Sequence, residues 1–451
     1  MASDYLGKWD TGRRAPILDA VRRHYRLMRA AQHWSEDELH ELQLRELRRL
    51  VRHAWRNVPL YADLWANEPR IEDWDDFRAL PILERASVTE DPDRLVARSL
   101  PPGLEIGPPT TTSGSTGHVV RVHASTNAFV AGAAAELLEM EWTDTDPTES
   151  LGLVRTYSKG PDETVRALSQ GVRIPRWAAG PLRELLPVGD GYLIDAGTPP
   201  EHIAAFFMAA QPQRLAGYPT ALLLASNYWE EPPAVSSIRC FGENLLDGDR
   251  SALERVFRSV AWNSWSAVET GPIAHTCPDD RERLHVHAPN VILEVVDAQG
   301  RQCTPGTPGS VLVTPLHQWG TPLVRYRIGD WATLGACDCG RSFPALSSIE
   351  GRAMSQIRRK DGSCLMSPKL IDLLGAVPGL RRFQLLQHAW DRFEALLITD
   401  SDAFETVAQQ VTQHIREYIG DESVRVEPRR VQELPLSPSG KFEKIRWVGS
   451  T

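Results

Sequence analysis

The sequence predicts an α/β protein in two parts, a large N-terminal α/β domain followed by a small α+β domain. Helical periodicities alternate with short β-branched runs over most of the chain, and a compact strand–helix–strand pattern fills its last hundred residues. The boundaries read as 1–351, with a helical opening segment over 1–100, and 352–451, with the join near residues 350–355 just after a Cys- and Gly-rich stretch. A chain of 451 residues is long enough for more than one core.

In the opening segment, Ser35 followed by Glu38 forms a capping-box signature. Leu39, Leu42, Leu47, Leu50 and Ala54 then recur at helical spacing up to Pro59. A loop is expected at 108–118, a small-residue helix from Phe129 to Met140, and another from Ala221 to Tyr228. Strands are expected at Leu151–Val154, Val260–Trp262, Ile292–Val296 and Ser310–Thr314. In the last hundred residues, strands are read at Phe383–Leu386, Phe393–Thr399 and Val424–Val426. Between them lies a helix capped by Ser401 and stopped at Gly420, with one apolar face of Phe404, Val407, Val411, Ile415 and Ile419.

Hydrophobic and charged contents of 42% and 24% are those of a soluble globular chain. A net charge of -9 and a pI near 5.9 argue against broad binding to nucleic acid or anionic membranes, so the expected partner is a small molecule. The first residues carry charge where a secretion signal needs an apolar run, and no stretch is apolar enough to span a bilayer, which places the protein in the cytoplasm.

The most informative segment is Thr110-Thr111-Thr112-Ser113-Gly114-Ser115-Thr116-Gly117. Its glycines let backbone N–H groups approach phosphate oxygens, and its hydroxyls add rotatable donors. A flexible Ser/Thr linker is the plain alternative, and the G-x-x-x-x-G-K-[ST] loop of nucleotide hydrolases is absent. Four further segments follow in order: Trp265-Ser266-Ala267-Val268-Glu269-Thr270-Gly271, Tyr326-Arg327-Ile328-Gly329-Asp330, Gly351-Arg352 and Pro438-Ser439-Gly440-Lys441. Together the five resemble the adenylate-forming superfamily of acyl-CoA synthetases, adenylation domains and luciferases. The opening Ala54–Tyr61, Gly242-Glu243-Asn244-Leu245 and Cys337-Asp338-Cys339-Gly340-Arg341 resemble its phenylacetate-CoA ligase-like branch.

The resemblance implies ATP-dependent activation of a carboxylic acid to an acyl-adenylate, with coenzyme A as acceptor and a domain rotation between half-reactions. It assigns Lys441 as the catalytic cation and Glu269 as the Mg2+ ligand. Thr112, Ser113, Gly114, Ser115, Thr116, Gly117, Gly242, Glu243, Asp330 and Arg352 would hold the nucleotide. Tyr218, Phe241, Trp265 and Ala267 would line the substrate pocket, and an aromatic or heteroaromatic acid is preferred because these rings can stack on another; core packing is their ordinary alternative. Transfer to an amine, a hydrazine or a carrier-protein thiol is the second reading, and a non-catalytic nucleotide-binding protein the third. A homodimer is left open. The sequence departs from the superfamily pattern at His118, where a lysine is usual, at Val268, where a hydroxyl residue is usual, and at Ala353-Met354-Ser355 in the hinge.

Cys277, His285, Cys337 and Cys339 supply four N/S ligands of the kind zinc prefers, so a structural Zn2+ is expected; His287 could replace His285. The alternative is a set of buried cysteines acting as small hydrophobes. Cys240, Cys303 and Cys364 read as ordinary core or loop residues.

Overall fold

The computed structural model describes residues 5–111, 120–157, 162–352, 356–361, 364–366, 368–375, 377–400, 403–432, 434–435 and 444–449. The chain separates into two compact units. One comprises Met1–Leu245 and Asp249–Ile349; the other comprises Leu246–Gly248 and Glu350–Thr451.

In the first unit, the opening helices include Pro16–Ala31 and Glu36–Asn57. The second begins with the expected capping box: Ser35 Oγ accepts from the Glu38 N–H, and the Glu38 carboxylate accepts from the Ser35 N–H at 2.8 Å. Such a cap stabilises a helix by about 1 kcal/mol. Its apolar face buries Leu47, Leu50, Val51 and Ala54.

The strands of this unit are β1 (Ile106–Thr111), β2 (Arg121–Ser125), β3 (Leu151–Arg155), β4 (Val172–Ile174), β5 (Gly191–Asp195), β6 (Arg214–Gly217), β7 (Ser237–Phe241), β8 (Val260–Ala267), β9 (Gly271–Thr276), β10 (Leu284–Val286), β11 (Val291–Val296), β12 (Pro308–Pro315), β13 (Tyr326–Gly335) and β14 (Ala345–Arg352). β1 and β2 form an antiparallel pair, so residues 108–111, expected in a loop, are extended, with Pro109, Thr110 and Thr111 paired; Pro108 is tolerated because it falls at a register shift and Pro109 because the pair has open edges. The remaining strands form one sheet in the order β11-β12-β13-β14-β10-β9-β8-β7-β6-β3-β5-β4. Its parallel section is β5-β3-β6-β7-β8, and antiparallel strands flank it on both sides.

Two layers of helix cover the parallel section, as buried parallel strands require. Ile238, Cys240, Leu215 and Ala261 pack with Ile203, Phe207, Leu222 and Leu253 in one core. A separate core joins the helix Thr126–Trp142 to Val21, Tyr25 and Met28 of the opening segment. From β3 the chain proceeds to β5 on one side, whereas from β6 it proceeds to β7 on the other. The crevice outside the carboxyl ends of β3 and β6 is therefore the topological switch point, where open α/β sheets bind their ligands.

The second unit contains the hairpin β15 (Gln356–Arg358) and β16 (Cys364–Met366), and a four-stranded sheet in the order β19-β18-β17-β20 formed by β17 (Leu380–Ala389), β18 (Arg392–Thr399), β19 (Arg425–Arg430) and β20 (Ile445–Trp447). The helix Phe404–Ile419 buries Val407, Val411 and Ile415 with Phe383, Leu385, Phe393 and Leu397. Each fully buried side chain of this kind stabilises by about 1.5–3 kcal/mol before entropy is counted. Gly420 closes the helix at φ 77°, as expected, but its N-cap is Ala403, without a side-chain cap; Ser401 lies outside the described residues.

Candidate active site and metal centre

The residues singled out from sequence converge on the carboxyl ends of β6, β7 and β8. Tyr218 follows β6, Phe241 ends β7 with Gly242 and Glu243 beyond it, and Trp265 and Ala267 close β8 with Glu269 in the turn to β9. At the switch point, Tyr218 Oη accepts from the Thr156 N–H at 3.3 Å. The Tyr218 and Phe241 rings meet edge to face at 5.9 Å, an attractive aromatic geometry. Gly242 is required by this packing: its φ is +75°, and a Cβ there would lie 2.5 Å from Tyr218 Cε1. Gly242→Ala should therefore destabilise the fold by about 2 kcal/mol, read as a lowered urea midpoint at unchanged slope. Glu243 accepts from the Thr220 N–H at 3.2 Å, in the first turn of the helix Pro219–Ser226, so it secures that helix start.

Glu269 is 1% exposed. Its Oε1 faces Arg85 Nη1 at 3.4 Å, and the same guanidinium nitrogen donates to Tyr326 Oη at 3.2 Å. Sequence reasoning missed Arg85, because the partners are 184 positions apart and no local pattern links them. The backbone explains its placement. Leu83 pairs with Tyr326 in a parallel bridge, with Leu83 N–H to Arg325 O at 3.1 Å and Arg327 N–H to Leu83 O at 3.0 Å. Arg325 fixes the preceding turn by donating to the carbonyls of Arg78 and Leu80 while held in a buried ion pair with Glu294 at 2.9 Å. The other oxygen of Glu269, Oε2, is buried with no hydrogen-bond partner among the described residues. A buried carboxylate oxygen of this kind costs stability unless something cationic or hydrogen-bonding meets it, and a hard divalent cation fits it.

Asp330, in β13, accepts from the Trp265 indole N–H at 3.2 Å, which fixes the orientation of its carboxylate. Val268, at the departure from the superfamily pattern, is 49% exposed. Thr112, Ser113, Gly114, Ser115, Thr116, Gly117 and Lys441 lie outside the described residues, as does the side chain of Arg352.

On the opposite flank of the sheet, Cys277, His285, Cys337 and Cys339 come together, with their ligand atoms within 4.8 Å of one another. Cys277 follows β9, His285 lies in β10, and both other cysteines are in the loop after β13. Cys337 Sγ is 3.7 Å from Cys277 Sγ, and Cys339 Sγ is 3.2 Å from His285 Nε2. Tetrahedral zinc with bonds of ~2.3 Å sets sulfurs about 3.8 Å apart, so the first spacing is that of a coordination edge. His285 Nδ1–H donates to the Phe343 carbonyl at 2.8 Å, which leaves the Nε2 lone pair facing the cysteines. Burial pushes the Cys277 thiol up and the Cys337 thiol up to about 12. Burial would also raise Cys339, but the backbone N–H and guanidinium of Arg341 outweigh it and hold that thiol below the ordinary value. His287 does not join the cluster: its Nε2 meets His275 Nδ1 at 2.7 Å. Cys240 and Cys303 are buried outside it, and the Cys364 side chain is not among the described ones.

No family model matches the sequence. A phenylacetate-coenzyme A ligase of Thermus thermophilus is 34% identical over 86 residues, which span 18% of this chain and only 19% of that relative. Among solved structures, a 2-hydroxyisobutyryl-CoA ligase in the postadenylation state, in complex with R3-HIB-AMP, is 16% identical with a TM-score of 0.74 over 92% of this chain and 90% of that one. The chain has the adenylate-forming ligase fold. A second example, the anthranilate CoA ligase AuaEII in complex with anthranoyl-AMP, gives a TM-score of 0.53 at 14% identity over 75% of this chain and 66% of that one. The mixed sheet with a parallel centre belongs to a fold shared with these CoA ligases, as the α/β reading expected.

Proposed function

We propose that the protein is an AMP-forming acid–thiol ligase. A carboxylate oxygen attacks the α-phosphorus of ATP, pyrophosphate leaves, and the thiol sulfur of coenzyme A then attacks the acyl carbon and displaces AMP. The observation that carries this reading is the Glu269 carboxylate, buried just beyond the carboxyl end of β8 with one oxygen unmet, on a fold shared with ligases that bind acyl-adenylates.

Glu269 is the residue that would hold Mg2+, and the ion when bound would offset charge on the phosphates. Asp330, oriented by Trp265, suits the two ribose hydroxyls. Tyr218, Phe241, Trp265 and Ala267 suit an aromatic acid, with the exposed Val268 at the mouth. Lys441, in the C-terminal domain that we place from about residue 352 onward, supplies mobile positive charge as the acid attacks, and its withdrawal by domain rotation clears the way for the thiol. We assign Zn2+ to Cys277, His285, Cys337 and Cys339, in a structural role, because four protein ligands leave no open position.

Pyrophosphate exchange measured across a panel of acids tests the first step, and AMP release with coenzyme A, with an amine, or with neither tests the acceptor. Acid-dependent exchange and release stimulated by coenzyme A are expected; exchange with no acid in the panel would refute the reading. Lys441→Ala should lower exchange by about 10²-fold while leaving ATP affinity nearly intact, the pattern of a group that acts in the transition state.

A further inference from the structure

Strand β7 presents Arg239 on the same face as Phe241, because residues two apart share a side of a sheet. The helix Thr126–Trp142 covers this face. Gly132, Glu136 and Glu139 fall on one stripe of it, at spacings of four and three, and a Cβ on Gly132 would lie 3.8 Å from Cδ of Pro272 in β9. Glu139 is fully engaged: its two oxygens accept from Arg239 Nε and Nη2 at 2.6 Å each, and Ser264 Oγ joins the pair, 3.0 Å from Arg239 Nη2. The Arg239 guanidinium lies 5.7 Å from the Phe241 ring.

Two hydrogen-bonding groups remain. Neither Nη1 of Arg239 nor the carboxyl of Glu136 bonds to any described residue. Both side chains keep accessible surface, 40% for Arg239 and an intermediate share for Glu136. Burial is nevertheless the leading influence on both charges. It raises the Glu136 carboxyl, and it opposes the Arg239 charge until the neighbouring Glu139 outweighs it. β7 is an interior strand of the sheet and the helix Thr126–Trp142 lies over this face, so accessible surface on Arg239 and Glu136 means that they line a gap between strand and helix, on the Phe241 side of the sheet.

We propose that the Glu136 carboxyl forms the far end of the acyl recess and selects an acid whose tail carries an N–H or O–H donor. This rests on the acid-activating reading above and narrows its substrate class. Arg239 is already matched by Glu139, so Glu136 is an acceptor in surplus, which favours a donor substituent and disfavours a second carboxylate on the substrate. A plain hydrocarbon tail would seal Glu136 away from water with its hydrogen bonds unmade.

The test is equilibrium binding of matched aromatic acids, unsubstituted, hydroxyl-bearing and amino-bearing, to the full chain loaded with a non-hydrolysable ATP analogue. The parent protein should bind the two donor-bearing acids about 10- to 100-fold more tightly than the unsubstituted one. Glu136→Gln, which keeps shape and an acceptor oxygen but no charge, should weaken the preference for both donor-bearing acids without abolishing it. Glu136→Ala should lose both at unchanged melting temperature and unchanged analogue affinity. A parent protein without donor preference, or a Glu136→Ala variant that retains it, overturns the proposal. Binding needs no turnover, so absence of pyrophosphate exchange alone counts against acid activation and leaves the selection by Glu136 to be judged on affinity.

Discussion

Glu269→Gln should reduce acid-dependent pyrophosphate exchange by about 10³-fold, equivalent to ~4 kcal/mol of transition-state stabilisation. The substitution keeps the shape of a side chain that is 1% exposed, so the sheet around it should survive. What it removes is the negative charge that faces Arg85 at 3.4 Å and that leaves an oxygen for a divalent cation. Arg85 is partly shielded from water, so the loss of its counter-charge also costs stability, and a modestly lowered melting temperature is expected alongside the kinetic loss. Higher Mg2+ should restore little, because an amide oxygen is a poor substitute for a carboxylate toward a hard cation. A variant within threefold of the parent would remove Glu269 from the active site.

The second large effect concerns the Cys277, His285, Cys337 and Cys339 cluster. Purified protein should contain about one zinc per chain. Stripping the ion with a strong chelator, or replacing Cys337 by Ser, should destabilise the large domain by several kcal/mol, roughly 10 °C in melting temperature. The ligands come from three separate points, the end of β9, the middle of β10 and the loop after β13, so losing the centre frees segments that hold one another. Activity should fall with unfolding and not before it. Protein that carries no zinc, and whose melting is indifferent to chelator, would refute the assignment.

The capping box at Ser35, the apolar face of the helix Phe404–Ile419 and the small-residue helix were legible in the sequence because each is set by neighbours three or four positions away. The cysteine cluster was legible from ligand chemistry, but the choice of histidine was not. His285 and His287 have the same parity along the chain, and only the fold decides that one meets Phe343 and the cysteines while the other meets His275. The pairing of residues 109–111 was obscured by Pro108 and Pro109, which argue locally for a loop. Arg85 and the Glu136–Glu139–Arg239 group escaped for a different reason: each is assembled from segments about a hundred or more positions apart, and periodicity carries no information about which strand face meets which helix.

The annexation of Leu83 alongside Tyr326 bears on how small a stable version of this protein can be. The described residues of the first eighty-odd contribute no strand to the central sheet, and they invite removal as an ornamental prelude. They are instead the tether that delivers Arg85 to its counter-ion. A fragment that starts downstream of that arginine would retain all the strands and both groups of metal-seeking side chains, yet its key acid would stand buried and uncompensated.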